Sequence, residues 1–206
     1  MKKRYWAFLI GSWCLSVGMQ AAKVDTLSVH SDAMNKEVQV ITICPDKAMA
    51  GEKCPVLYLL HGYGGNAGTW LGIKPELPQI ADKEGIIFVC PDGKNSWYWD
   101  SPLNKEYRYE TFVSKELVNY IDKNFTTKVE RGGRAITGLS MGGHGSLWLS
   151  IRHKDVFGGG GSMSGGLDIR PFPNNWEMKK QLGEEASNKQ RWDEHTVINQ
   201  LDKIKN

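Results

Sequence analysis

The chain has 206 residues, enough for one α/β domain with a substantial core. With 40% hydrophobic and 24% charged residues, its composition excludes a low-complexity or disordered chain. The formal net charge is +3, but the first 22 residues hold three basic residues and no acidic one, so the remainder balances at 23 of each sign. That neutrality, with no basic run, excludes a phosphate-backbone partner, and no nucleic acid is expected.

Lys2, Lys3 and Arg4 precede a mostly apolar stretch, Tyr5 to Val17, and Ala21-Ala22 offer a small-residue cleavage point. This pattern predicts a secretory signal over residues 1–22. The apolar run is short for a membrane span, and the bulky Trp13 argues against a lipid anchor on Cys14. The mature chain is therefore expected in the periplasm or outside the cell, without stable membrane association; a retained N-terminal anchor is the competing reading. Export permits disulfides. Cys44 ends one strand-like run and Cys54 opens the next, so either a bridge or, with Cys90, three buried thiols would fit. No Cys/His spacing resembles a metal site, and no cofactor is expected.

Two strands are predicted at Thr26–His30 and Lys36–Cys44, joined through Ser31–Asn35. Asp46–Lys53 reads as a polar loop. Val56–Leu60 is five apolar residues in a row, which suits a central parallel strand buried on both faces. It runs directly into His61-Gly62-Tyr63-Gly64-Gly65. A helix is predicted over Leu77–Glu84, ended by Gly85, and a buried strand over Ile86–Cys90. NSWYWDSP, Asn95 to Pro102, follows at the C-terminal end of that strand, where α/β sheets bind ligands. Trp97 or Trp99 is expected to stack on a sugar or aryl group of the substrate, unless both plug the core. Tyr109–Phe125 is amphipathic, with Val113, Leu117, Tyr120, Ile121 and Phe125 on one face. A turn at Arg131–Gly133 leads to the next strand.

Arg134 to Phe157 reads as a short strand, a glycine-crowded turn and a helix. The turn is Gly138-Leu139-Ser140-Met141-Gly142, a G-x-S-x-G match in the strand–turn–helix setting the motif requires. A side chain at either flanking glycine would collide with neighbouring backbone, and the tight turn pushes the serine outward. Ser140 is thus the candidate nucleophile. The backbone N–H groups of Tyr63 and Met141 are the candidate oxyanion donors, each worth roughly 3 kcal/mol of barrier. Phe157–Gly166 is strand-like but glycine-heavy. From Leu167 the chain is polar and loop-like, with a helix candidate at Thr196–Ile204. Strand and helix alternate from Val56 to Met163, which argues for one α/β domain, residues 23–206, around a mostly parallel sheet.

VLYLLHGYGGNAGTWL, WYWDSP, ELVNYIDKNF and RAITGLSMGGHGSLWLSIRHKDVFGGGGSMSGGLDI together resemble the esterase family of α/β-hydrolases. That family includes S-formylglutathione hydrolase (esterase D), feruloyl and acetylxylan esterases, tributyrin esterases and mycolyltransferases. The resemblance covers about Val38 to Asn206 and loosens after Arg170. It implies an α/β-hydrolase fold with helices on both faces of the sheet. It also implies a serine carboxylesterase that forms an acyl-enzyme on Ser140 and acts on acetyl or feruloyl esters of polysaccharides, or on small esters. Export weighs against a cytosolic thiol adduct as substrate. An acyltransferase of the same fold and a non-catalytic carbohydrate-binding remnant are the rivals.

Members of the family carry the acid and histidine of their triad beyond the next two strands. This chain reaches Asn206 about where a seventh strand should begin. The expectation is a C-terminally truncated sequence with its last strands missing, weakly active and open along a glycine-rich edge near Gly158–Met163. Ser140, Asp168 and His195 would satisfy the serine–acid–histidine order as an improvised triad. Of the other histidines, His30 reads as surface and His61 as structural. His144 should point away from the attack face of Ser140, and His153 suits the C-terminal dipole of its helix.

Overall fold

The computed structural model describes residues 22–204. The expected signal segment, but for Ala22, lies outside the described residues. Strands β1 (Lys23–Ser31) and β2 (Lys36–Cys44) form an antiparallel hairpin. It turns through the residues expected for it, with Asn35 at φ 48°. Strands β3 (Val56–Leu60), β4 (Ile87–Pro91), β5 (Arg134–Gly138) and β6 (Gly159–Gly160) complete a sheet of order β1-β2-β4-β3-β5-β6. β2 meets β4 antiparallel, and β4, β3, β5 and β6 run parallel.

The central strands show why continuous apolar runs form them. In β3, Val56, Tyr58 and Leu60 pack into one core, while Leu57 and Leu59 face the other. β4 divides likewise, with Ile87 and Val89 against Phe88 and Cys90. Side chains alternate across a strand, so a strand buried on both faces needs apolar residues at every position. Each fully buried side chain of this kind contributes about 1.5–3 kcal/mol.

Helices cover both faces. Short helices α1 (Asp46–Met49) and α2 (Thr69–Ile73) precede α3 (Leu77–Glu84), which packs Leu77 and Ala81 into the smaller core. Gly85 ends α3 in the left-handed region, φ 64°. Opposite lie α4 (Tyr109–Thr111), α5 (Val118–Asn124) and α6 (Met141–Arg152). α4 and α5 are joined by a π-helical stretch, Phe112–Leu117, so the expected helix over Tyr109–Phe125 is continuous but widened in its middle. Val113, Leu117 and Ile121 are buried as the amphipathic pattern requires.

Several expectations change. The strand expected over Phe157–Gly166 is regular for two residues only. Its backbone still follows β5, through Gly158 N–H to Arg134 O at 2.8 Å, Gly161 N–H to Ile136 O at 2.9 Å and Met163 N–H to Gly138 O at 2.9 Å. Glycines allow that close approach without a regular pleat. The polar loop after Cys44 contains α1. The stretch beyond Leu167 holds α7 (Met178–Leu182) and α8 (Lys189–Glu194), short helices without a long periodic face. The helix candidate at Thr196–Ile204 is a 3-10 helix, Val197–Ile204. Cys44, Cys54 and Cys90 are three free, buried thiols, so the Cys44–Cys54 bridge does not form. Among the described residues no helix is long and apolar enough to cross a membrane.

Candidate active site

The β5–α6 junction is built by glycines that have no room for a side chain. A Cβ on Gly142 would overlap the carbonyl of Leu60, and one on Gly138 would overlap the backbone of Gly142. A Cβ on Gly145 would enter the ring of Tyr98, and one on Gly143 would lie 2.8 Å from Ser162 Oγ. α6 can therefore start directly against β3 and β5. Ser140, its N-cap, sits at φ 55°, ψ −115°. A non-glycine residue there carries on the order of 1–3 kcal/mol of strain and persists only where its neighbours hold it. Ser140 N–H donates to Met163 O at 2.8 Å, and Ser140 O accepts from His144 N–H at 3.0 Å. With its backbone fixed from both sides, Ser140 keeps an exposed side chain.

Ser140 opens into a cavity of about 200 Å³. Tyr63, Trp97, Phe172 and Trp176 supply its aromatic walls, and Asp168 its carboxylate. The loop after β3 abuts the serine: a Cβ on Gly62 would lie 3.5 Å from Ser140 Cβ. Gly65 N–H donates to Gly62 O at 3.0 Å, so Gly62–Gly65 is a closed turn with Tyr63 at its second position. Met141 opens α6, and the first N–H groups of a helix have no partner within it. The Gly62–Gly65 turn that carries Tyr63 and the start of α6 at Met141 thus both lie next to the serine.

Of Trp97 and Trp99, one of which is expected at the substrate, Trp97 borders the cavity and Trp99 does not. Trp99 has no exposed surface. It stacks behind Trp97 at 5.5 Å and donates from Nε1 to His144 Nε2 at 2.9 Å, so it is a core residue that supports the wall. His144 is buried, and its Nδ1–H donates to Gly166 O at 2.7 Å. Burial pushes its pKa down to about 4, which leaves a neutral ring with both nitrogens engaged. His61 is structural in the same way: Nδ1–H donates to Gly62 O at 2.7 Å, and Nε2 accepts from Gly93 N–H at 2.8 Å. His30 lies on the surface beside Glu37.

The improvised triad is not assembled. Asp168 reaches the cavity, but its carboxylate is held by Arg170 at 2.8 Å. His195 lies on the far side of the tryptophan layer, stacked on Trp148 at 5.3 Å, with Nδ1–H donating to Arg191 O at 2.7 Å. It borders a separate polar cleft with Glu110 and Arg152. No histidine lines the cavity at Ser140 among the described residues. His153 does cap α6, but its partner is not legible from the sequence: Nε2 donates to the buried Glu110 at 2.8 Å. Phe172 and Trp176 also went unanticipated, because they stand in a polar stretch without periodicity.

Comparison with known proteins agrees with this architecture. The Esterase family model, described as "Putative esterase", matches residues 31–205. An acetyl esterase of Caldicellulosiruptor saccharolyticus is 29% identical over 151 residues, 69% of this chain and 56% of that protein. The diacylglycerol acyltransferase/mycolyltransferase Ag85A of Mycobacterium leprae is 34% identical over 70% of this chain and 44% of its own. The chain therefore spans about half the length of these relatives. Among solved structures, a ferulic acid esterase superposes with a TM-score of 0.70 at 27% identity, covering 88% of this chain and 72% of that one. FphF, a fluorophosphonate-binding serine hydrolase of Staphylococcus aureus, superposes at 0.76 with 20% identity, over 90% and 74% of the two chains, a likeness of fold. The elbow serine, the turn beside it and the family match over residues 31–205 lead to one conclusion: the chain belongs to the esterase family and has the α/β-hydrolase fold.

Proposed function

We propose that the chain is a serine carboxylesterase, exported from the cell, with Ser140 as its nucleophile. Ser140 Oγ attacks the ester carbonyl, the C–O bond to the alcohol breaks, the serine's proton leaves with the alcohol, and an acyl-enzyme forms that water later hydrolyses to the free acid and serine. The N–H groups of Tyr63 and Met141 stabilise the oxyanion of each tetrahedral state. One observation carries the reading: an exposed serine at a strained strand-to-helix bend beside a closed glycine turn and an aromatic cavity. Acetyl or feruloyl esters of polysaccharides, or small esters, are the proposed substrates. Their support is the aromatic wall of Tyr63, Trp97, Phe172 and Trp176, together with the names of the acetyl esterase and ferulic acid esterase relatives. Transfer of the acyl group to an alcohol instead of water is the second reading, favoured by the likeness to Ag85A.

A serine hydroxyl without a base beside it reacts slowly, while oxyanion donors and binding alone still accelerate acyl chemistry by roughly 10³-fold. The chain of 206 residues, incubated with a fluorophosphonate, is accordingly expected to gain one adduct, slowly, on Ser140. Peptide mass mapping should find it there and nowhere in Ser140→Ala, and the denatured chain should react far more slowly still. An adduct that survives Ser140→Ala, or a folded chain that gains none, contradicts the proposal. Binding of a sugar without any adduct would favour a non-catalytic carbohydrate-binding protein.

A further inference from the structure

The turn that carries Tyr63 is held from outside by side chains that take no part in ester chemistry. Gly64, at the third position of the Gly62–Gly65 turn, has φ 75°. A positive φ there marks a type II turn, whose only internal bond uses the fourth N–H. The second and third N–H groups must find other partners. Gly64 N–H donates to Asn95 Oδ1 at 2.9 Å. Asn95 Nδ2 donates in turn to Glu177 Oε2 at 3.4 Å. The Glu177 carboxylate pairs in turn with Lys180. The peptide following Tyr63 is therefore held by one connected clasp, Asn95 and Glu177, from outside the turn.

Backbone strain gathers at the same clasp. Lys94, Trp97 and Tyr98 around Asn95 have φ of 47°, 58° and 61°, and Trp176 and Glu177 have φ of 48° and 56°. Consecutive non-glycine residues hold such angles only where the surroundings over-determine them. Trp97 Nε1 donates to Trp176 O at 3.3 Å and ties the two strained segments together.

Resting on the assignment of Ser140 as nucleophile, we propose that Asn95 and Glu177 are positioning residues. Together they set the orientation of the Gly62–Gly65 turn, so that the Tyr63 N–H meets the charge that develops beside Ser140. Neither residue touches a reacting atom. Fluorophosphonate kinetics separate initial binding (KI) from bond formation at the serine (kinact). Asn95→Ala is expected to lower kinact roughly 10- to 100-fold while KI moves by no more than about threefold, the pattern of a misaligned transition-state donor. The exchanged pair Asn95→Asp with Glu177→Gln rebuilds both hydrogen bonds with the charge moved across. It should return kinact to within about threefold of the parent, which loss of a merely structural contact would not explain. Asn95→Ala reacting at the parental kinact, or the exchanged pair reacting as slowly as Asn95→Ala, would overturn the proposal. A parent chain that gains no adduct on Ser140 would fail earlier and separately, removing the nucleophile and its positioning residues together.

Discussion

At the scale of single residues, the site is a matter of space around a few backbone atoms. Ser140 occupies φ 55°, ψ −115° because Gly138 and Gly142 let β5 and α6 close on it and because Met163 O takes its N–H. Glycine tolerates a positive φ without a Cβ penalty, and alanine does not. Ser140→Gly should therefore be more stable than Ser140→Ala by about 1 kcal/mol, read as a higher urea midpoint at unchanged slope. Equal midpoints would mean that the bend carries no strain at this position. Both variants should lose the fluorophosphonate adduct, so the comparison separates the strain of the serine from its chemistry.

At the scale of elements, α4 and the end of α6 are joined by a buried acid. Glu110 accepts from Trp148 Nε1, Arg152 Nε and His153 Nε2, each at 2.8 Å. Burial opposes its ionisation, but the hydrogen bonds from His153, Arg152 and Trp148 outweigh it and bring the carboxyl down to about 2 from an ordinary value of 4.5. A carboxyl whose pKa is lowered on folding stabilises the fold above its unfolded pKa. That contribution, on the order of 3 kcal/mol, starts to fall below about pH 4.5 and is gone below about pH 2. Urea midpoints from pH 6 to pH 2 should fall more steeply for the parent than for Glu110→Gln, with the two curves converging at the acid end. Parallel curves would show that this network contributes no pH-dependent stability.

That network also shows where sequence reading stops. β2, β3 and α3 were legible to the residue, because apolar runs, a hairpin turn and a glycine cap act locally. The elbow was legible because a serine between glycines, strand before and helix after, has few other uses. Glu110 looked like an ordinary polar position near the start of an amphipathic helix, since its three partners come from α6 and its cap, about forty residues later. Which of Trp97 and Trp99 borders the cavity is not legible, because an aromatic run at a strand end does not reveal which ring faces outward. The ring that does is fixed by His144, which only the packing of α6 brings near. The segment of Phe172 and Trp176 folds over the cavity by contact with the loop of Trp97 and has no periodicity of its own.

At the scale of the whole molecule, the sheet places the tips of β3, β4 and β5 at one end, and the three loops that leave them meet around Ser140. The loop after β3 brings Tyr63, the loop after β4 brings Asn95 and Trp97, and the bend after β5 brings the serine itself. The histidines are distributed elsewhere. Two are locked in the core with both ring nitrogens bonded, one binds Glu110, one lies behind the tryptophan layer, and one is at the surface. The site thus combines an exposed hydroxyl and the proposed backbone donors with no neighbouring base among the described residues, which is why slow, single-site phosphonylation is expected of this chain. The most direct measurement is a crystal structure of the chain after reaction with a fluorophosphonate. The phosphoryl oxygen of the phosphonate bonded to Ser140 Oγ should lie about 2.7–3.1 Å from both the Tyr63 and Met141 nitrogens. A phosphoryl oxygen turned to solvent, with either nitrogen bonded to another acceptor, would contradict it.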